Sequence, residues 1–262
     1  MSNYDRSRAY EYQARSRADA FAIDEGLRSY MIRVYNYMGL GLIITGLVAY
    51  GVYSMAITHD ASQAVGRLPN GVMLTAFGKA IYVSWLKWVL AFAPLGIVFL
   101  FAARINSMSV SAAQTVFWVF SALIGASIST IFVVYTQASI AQIFLITAAT
   151  FGGLSLWAYT TKRDLSGMGS FLIMGLIGVI IASVVNLFLH SSGLQFAVSV
   201  LTVLIFAGLT AYDTQRLKDD YSTYASAGEA ALGRSAVMGA LNLYLDFINM
   251  FMALLQLFGQ RE

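Results

Sequence analysis

The sequence contains no cysteine, only two prolines in 262 residues, and charged side chains at only 11% of its positions. The absence of cysteine excludes disulfide bridges, thiolate metal sites and cysteine nucleophiles. A charged fraction less than half of the roughly 25% found in soluble domains excludes an ordinary soluble protein. Disordered chains and nucleic-acid-binding modules are excluded too, because aromatic residues reach 14% and the net charge is only +3.

Hydrophobic residues make up 58% of the chain, and their long runs predict a membrane protein. A membrane-crossing helix needs about 20 apolar residues, so the chain has room for about six to eight of them. No short apolar segment of the kind found in a cleavable signal peptide precedes the first run. The runs predict seven spans, at residues 34–57, 82–103, 112–135, 138–160, 169–189, 194–215 and 236–258.

The predicted fold class is therefore all-α, a polytopic membrane protein with a basic N-terminal tail at residues 1–33 and a seven-helix transmembrane domain at residues 34–262. Lys87 and Pro94 predict that the second span begins late or is kinked. Residues 135–137 predict a tight turn between the third and fourth spans. The longest loop on the side opposite the tail is predicted at residues 58–80, where residues 71–79 are expected on the membrane surface.

Lysine and arginine are unevenly distributed between the two ends of the predicted spans. Twelve of them fall in the tail and in the loops after spans two, four and six, against four at the other end. Because cytoplasmic segments are enriched in these residues, we predict a cytoplasmic N-terminus and a C-terminus on the opposite side of the cell (inner) membrane. The tail arginines fit two roles, an orientation signal or binding of anionic lipid headgroups, and the interleaved acidic residues favour the first.

Only two of the 13 acidic residues, Asp213 and Asp246, fall within the predicted spans. A charge at the centre of a bilayer costs about 2.5–3.5 kcal/mol even on the lenient insertion scale, so such residues indicate function. Asp246 lies ten residues into the seventh predicted span, which places it about 15 Å deep at 1.5 Å per residue. Asp213 lies at the inner end of the sixth predicted span, close to the headgroups, where a solvated helix end is an equally good interpretation.

Small and polar residues recur along one face of the seventh span, at alternating intervals of three and four residues. This spacing keeps them on one side of a helix, and that side is expected to face other helices or water rather than lipid. Asparagines alone would fit interhelical hydrogen bonding, but packing does not require an ionisable group, so the aspartate favours a functional role. The stripe consists of Gly239, Asn242, Asp246, Asn249, Ala253 and Gln256.

The two aspartates can meet only if the sixth span runs deeper than the apolar run indicates, or if a water-filled vestibule opens from the cytoplasm. Two adjacent carboxyl groups share a proton and titrate as a coupled pair. When ionised they are hard ligands suited to Ca²⁺, which takes about six to eight oxygens. We therefore predict a weak calcium site at Asp213 and Asp246, completed by water and by amide oxygens of Asn242 or Asn249, with no other cofactor. Arg104 is the expected countercharge, or else only an orientation signal.

Three segments resemble motifs of the Bax inhibitor family, the transmembrane Bax-inhibitor-motif proteins. Residues 240–249 read ALNLYLDFIN, as in the final helix of that family, and residues 211–215 read AYDTQ, as at the end of its sixth helix. Residues 160–166, TTKRDLS, resemble its loop between helices four and five. The similarity covers the chain from about residue 28 and is closest to bacterial members.

The resemblance implies seven helices with the last one central and wrapped by the other six. It also implies a pH-sensitive Ca²⁺ leak channel in which Asp213 and Asp246 form a gating dyad, and in which Arg104 interacts with that dyad. The long polar segment at residues 217–235 and the loop at residues 58–80 depart from the family pattern.

The sequence is also compatible with two other functions. Family members are linked to stress protection, so the chain is alternatively a survival regulator that binds membrane proteins such as membrane proteases. Paired aspartates also occur in intramembrane aspartyl proteases. That interpretation is disfavoured because Asp246 lacks the Gly-x-Gly-Asp context and no Pro-Ala-Leu occurs. We therefore expect no enzymatic activity.

Overall fold

The computed structural model describes residues 3–261, with side chains from residue 25 onward. The lipid-binding role considered for the tail arginines falls mostly on side chains outside this range. A two-stranded hairpin, β1 (Gly66–Arg67) and β2 (Met73–Leu74), follows the first helix. The helices are α1 (Asn3–Ala56), α2 (Ala76–Tyr82), α3 (Leu86–Arg104), α4 (Val110–Ile128), α5 (Ile131–Val134), α6 (Gln137–Thr160), α7 (Ser166–Leu189), α8 (Ser192–Ser226) and α9 (Glu229–Phe258), with a 3-10 turn at Ile105–Ser107.

Within the described part of the chain, seven helical segments are long and apolar enough to cross a membrane, which confirms the predicted number and the all-α fold class. The apolar run predicted from residue 34 is part of the longer helix α1, which continues through the polar residues before it. The second begins at Leu86, later than residue 82, and contains Pro94. The spans are Glu25–Ala56, Leu86–Ser107, Val110–Val134, Gln137–Thr160, Ser166–Leu189, Ser192–Ser226 and Glu229–Phe258.

The polar segment at residues 217–235 is not the long loop that the sequence predicted. α8 continues to Ser226 and α9 begins at Glu229, so only two residues separate the helices. An ion pair between Arg216 and Asp220, at 3.5 Å and four residues apart, lies on the extension of α8. Gly228 makes the turn with a φ of +96°, a conformation that side chains other than glycine rarely adopt.

The last helix occupies the centre of the bundle, as the resemblance implied. In its most apolar stretch, 72% of α9 is buried, against 11–39% for the other six spans. It packs mainly against α1, α4, α6 and α8, whereas α3 packs on α4 and α7 packs on α8. Four helices therefore form most of its wall, with α3 and α7 further out.

Short elements of secondary structure lie at the end of the bundle opposite the α8–α9 turn. Thr75 caps α2 by accepting a hydrogen bond from the Gly78 backbone N–H at 3.1 Å. Gly78 sits directly on the end of α1, where a Cβ would lie 2.0 Å from the Ala56 carbonyl oxygen. The predicted turn between spans three and four is present at residues 135–136. There the Thr136 N–H donates to the Gln260 carbonyl oxygen and holds the end of the chain.

Candidate functional site

The two aspartates lie at similar depths because α8 and α9 form an antiparallel hairpin. Asp213 precedes the turn at residues 227–228 by 14 residues, and Asp246 follows it by 18. At 1.5 Å per residue these separations are about 21 and 27 Å, so the levels differ by about 6 Å. The two aspartates therefore lie at similar levels in the bundle, although the apolar runs of the sequence indicated different depths.

Asp246 is buried in the centre of the bundle, with only 4% of its surface exposed. Its Oδ2 has no hydrogen-bond partner among the residues that the structure describes. Asp213 is half-buried and lies within electrostatic range of Asp246. Burying a carboxyl oxygen without a hydrogen-bond partner costs free energy. Asp246 differs in this respect from the buried polar groups around it, which are hydrogen-bonded.

A basic residue of α8 itself interacts with this pair. Arg216 lies within electrostatic range of Asp213, one turn further along the helix. Arg104 is exposed at the end of α3, and within residues 25–261 its side chain forms no ion pair. Its predicted role as the countercharge of the pair stays a prediction.

Both ends of the polar stripe of α9 contact α8. Gly239 packs closely against Leu217 of α8, since a Cβ at position 239 would lie 2.4 Å from Cδ2 of Leu217. At the other end of the stripe, Gln256 Oε1 accepts hydrogen bonds from Gln195 Nε2 at 2.7 Å and from Ser199 Oγ at 2.9 Å. Asp246 lies between these two contacts, on the same face.

The two asparagines of the stripe flank Asp246 by about one turn each. Asn249 is half-buried, and its Nδ2 donates to the Leu245 carbonyl oxygen at 2.8 Å, within α9. Asn242 is also half-buried. Both amides therefore lie about one helical turn from Asp246 at partly accessible positions.

Two of the motifs identified in the sequence bind each other next to Asp213. Gln215 Oε1 accepts a hydrogen bond from the Leu165 N–H at 2.6 Å, and Gln215 Nε2 donates to the Arg163 carbonyl oxygen at 2.7 Å. On the same motif, Tyr212 packs against Gly169, where a Cβ would lie 2.6 Å from the ring. The loop between α6 and α7 therefore fixes the segment of α8 that carries Asp213.

A chain of hydroxyl groups crosses three helices beside Asp213, and the sequence did not predict it. Tyr35 of α1 and Ser155 of α6 place their oxygens 2.5 Å apart. Ser155 Oγ lies 2.9 Å from Thr214 Oγ1 of α8, which is the residue after Asp213. In the sequence, this row of hydrogen-bonded hydroxyl groups was indicated only by the presence of hydroxyl residues within apolar runs.

A second buried polar cluster lies close to Asp246. The hydroxyl of Tyr244 is 2.6 Å from Thr45 Oγ1, and Thr45 Oγ1 also lies 2.9 Å from the Ser121 carbonyl oxygen. Tyr244 is fully buried, and its ring meets those of Phe117 and Phe120 edge to face. These contacts attach α1 and α4 to α9 two residues before Asp246.

Within the part of the chain that the structure describes, no three histidine or acidic side chains come together as a metal site would require. Asp213 and Asp246 supply at most four carboxylate oxygens. A Ca²⁺ ion at this pair would therefore depend on water and amide oxygens for the rest of its coordination.

Comparisons with known proteins agree with the three motifs. The family model described as inhibitor of apoptosis-promoting Bax1 matches residues 27–262. The chain is 42% identical over 237 residues to the inner membrane protein YbhL of Escherichia coli, covering 90% of this chain and 94% of YbhL. It is also 42% identical over 260 residues to an uncharacterized protein of Caulobacter vibrioides, covering 99% and 98% of the two chains. A protein of Rickettsia prowazekii is 44% identical over 240 residues, covering 91% and 92%.

Proposed function

This chain belongs to the Bax inhibitor-1 family, and from that premise we propose that it is a pH-sensitive leak channel for Ca²⁺ rather than an enzyme. Its seven apolar helices require a lipid bilayer, and the relative from Escherichia coli is named an inner membrane protein. We place the channel in the cell (inner) membrane, with the N-terminus and the α8–α9 turn in the cytoplasm and the C-terminus on the opposite side. The excess of lysine and arginine at that end of the bundle supports this orientation.

The proposal depends on one observation above all. Asp246 is buried at the centre of the bundle with an Oδ2 atom that no described residue satisfies, and it lies within electrostatic range of Asp213. A residue that only joined helices would be hydrogen-bonded, as Tyr244 is to Thr45. An unsatisfied carboxyl group beside a second one is instead suited to exchange protons and cations.

The proposed mechanism follows from the charge of this pair. When both carboxyl groups are ionised they repel each other and attract a divalent cation, and a proton that binds to one of them removes both effects. Each change in proton occupancy therefore alters the force between α8 and α9 at the level of the pair. Because two carboxylates and nearby amides hold Ca²⁺ weakly, the ion can leave as readily as it enters, which permeation requires.

Flux of Ca²⁺ into liposomes that contain the purified protein tests the proposal. We expect a leak whose rate depends on pH in the wild type. We expect Asp246→Asn to remove this pH response. Asp213→Asn should behave like a pair in which one member is permanently protonated. Asp219→Asn, at an exposed position of α8, is the matched control and keeps the wild-type profile. An unchanged pH profile in Asp246→Asn would exclude the gating dyad.

The same preparation separates the two alternative functions. A survival regulator that acts only by binding membrane proteins gives no flux above that of empty vesicles, but it co-purifies with a partner. An intramembrane aspartyl protease cleaves a reporter helix, and it loses that activity when either aspartate is replaced.

A further inference from the structure

A groove with a volume of about 580 Å³ lies between α1 and α6, apart from the carboxyl pair. Its rim includes Ile32 and Leu156, whose surfaces are 49% and 65% exposed. Large apolar side chains that are exposed on membrane-crossing helices face lipid, so the groove opens sideways into the bilayer. Further in, Met31 and Phe151 make its wall apolar.

The length and position of the groove fit one leaflet of a membrane. Its lining runs from Arg28 to Tyr35 on α1 and from Phe151 to Tyr159 on α6, about 11–12 Å along the helix axes. One leaflet contributes about 15 Å of hydrocarbon. Tyr159 lies one residue inside the fourth span and Arg28 lines the same end of the groove, so the groove starts at the membrane surface and ends within the leaflet.

Two basic side chains lie at or next to the surface end of the groove. Arg28 lines this end. Beside it, Lys218 Nζ donates to the Tyr159 carbonyl oxygen at 3.0 Å and lies 5.5 Å from the centre of the Tyr159 ring. A cationic mouth above an apolar channel complements a molecule with an anionic head and an apolar chain. The groove is only about two helical turns long, too short to hold a membrane-crossing helix of about 20 residues.

We propose that this groove binds one anionic phospholipid from the leaflet on the α8–α9 turn side, with its phosphate beside Arg28 and an acyl chain against Met31 and Phe151. The groove is also lined by Tyr35 and Ser155, and Ser155 contacts Thr214, the neighbour of Asp213. A lipid in this position would therefore touch the hydroxyl chain that links α1, α6 and α8. The binding proposal does not depend on the channel function.

Two adjacent glycines provide a matched pair of variants. A Cβ at Gly152 or at Gly153 would have no atom within 4 Å, so a larger side chain is tolerated at either position. Only Gly152 lines the groove. Gly152→Leu places a bulky side chain in the groove, whereas Gly153→Leu adds the same side chain to the same helix outside it. Arg28→Gln and Lys162→Gln form a second pair, since Lys162 lies at the same end of the bundle but not in the groove.

Native mass spectrometry of the full-length protein, delipidated in detergent and titrated with phosphatidylglycerol or phosphatidylcholine, tests the proposal. We expect the wild type, Gly153→Leu and Lys162→Gln to retain one phosphatidylglycerol that Gly152→Leu loses. Arg28→Gln should need about fivefold more of this lipid for equal occupancy, the effect of one basic residue near an anionic lipid.

Three results would overturn the proposal. Equal retention of phosphatidylglycerol by the wild type and Gly152→Leu would show that the lipid binds elsewhere. Equal retention of phosphatidylcholine would show that the mouth does not select an anionic head. If the wild type were a dimer and Gly152→Leu were a monomer that still retained its lipid, the groove would instead bind a second copy of the chain. Because the readout is bound lipid, failure of the leak assay leaves this result unaffected.

Discussion

Gly125 of α4 lies directly against the backbone of Thr45 in α1, and a Cβ at Gly125 would lie 2.5 Å from the Thr45 carbonyl oxygen. Close contact of two helix backbones at a small residue is typical of membrane proteins, where packing rather than hydrophobic burial holds helices together. Here the contact also places the Thr45 hydroxyl 2.6 Å from that of Tyr244, so the position of α9 depends on it.

Gly125→Val is therefore expected to destabilise the protein by more than about 2 kcal/mol, because a backbone atom cannot move aside as the end of a flexible side chain can. The measurement is thermal unfolding in detergent, followed by tryptophan fluorescence. Gly46→Val is the control, since a Cβ at Gly46 has no atom within 4 Å. Equal melting temperatures for the two variants would contradict the close contact of α1 and α4.

The sequence predicted the number of spans because that number depends on the composition of single helices, and for the same reason it singled out Asp246 as a charge within an apolar run. It placed the two aspartates at different depths because apolar runs follow contact with lipid, whereas their relative level is set by the α8–α9 hairpin, whose helices continue beyond those runs. The contacts of Tyr35, Ser155 and Thr214 were out of reach for another reason. These residues lie on three helices separated by more than 50 positions, and only tertiary packing brings them together.

Asp164 gives a pH dependence that is separate from the carboxyl pair. Its Oδ1 accepts a hydrogen bond from the Ser166 N–H at 2.8 Å, at the start of α7. Hydrogen bonds from the side chain and the backbone of Ser166 lower the pKa of Asp164 below its ordinary value. A carboxyl group whose pKa is lowered by folding stabilises the protein above its unfolded pKa, and this effect is lost as the pH falls through the folded pKa.

The stability difference between the wild type and Asp164→Asn should therefore be constant from pH 8 to about pH 5 and shrink below about pH 4. Melting temperatures measured by circular dichroism across this range give the comparison. Asp219→Asn, at an exposed position of α8, provides the control. A difference that already changes between pH 8 and pH 6 would mean that another group titrates with this loop.

Gln215 holds the loop between α6 and α7 with both ends of its amide, and its loss should release that loop. In Gln215→Ala the Leu165 N–H and the Arg163 carbonyl oxygen lose their partners. The loop contains Lys162 and Arg163, both exposed, so trypsin reports directly on its opening. We expect cleavage after these residues to be about fivefold faster, the effect of losing about 1 kcal/mol of local stability.

Gln114→Ala is the matched control for this experiment, because Gln114 Nε2 also donates a hydrogen bond, to the Tyr37 hydroxyl at 2.5 Å, but between α4 and α1. It should leave cleavage at Lys162 and Arg163 at the wild-type rate. If Gln215→Ala were cleaved no faster than this control, the loop would be held by other contacts, such as the burial of Leu165. If it is cleaved faster, the two motifs are coupled through one amide, and the position of Asp213 is fixed from the loop as well as from α9.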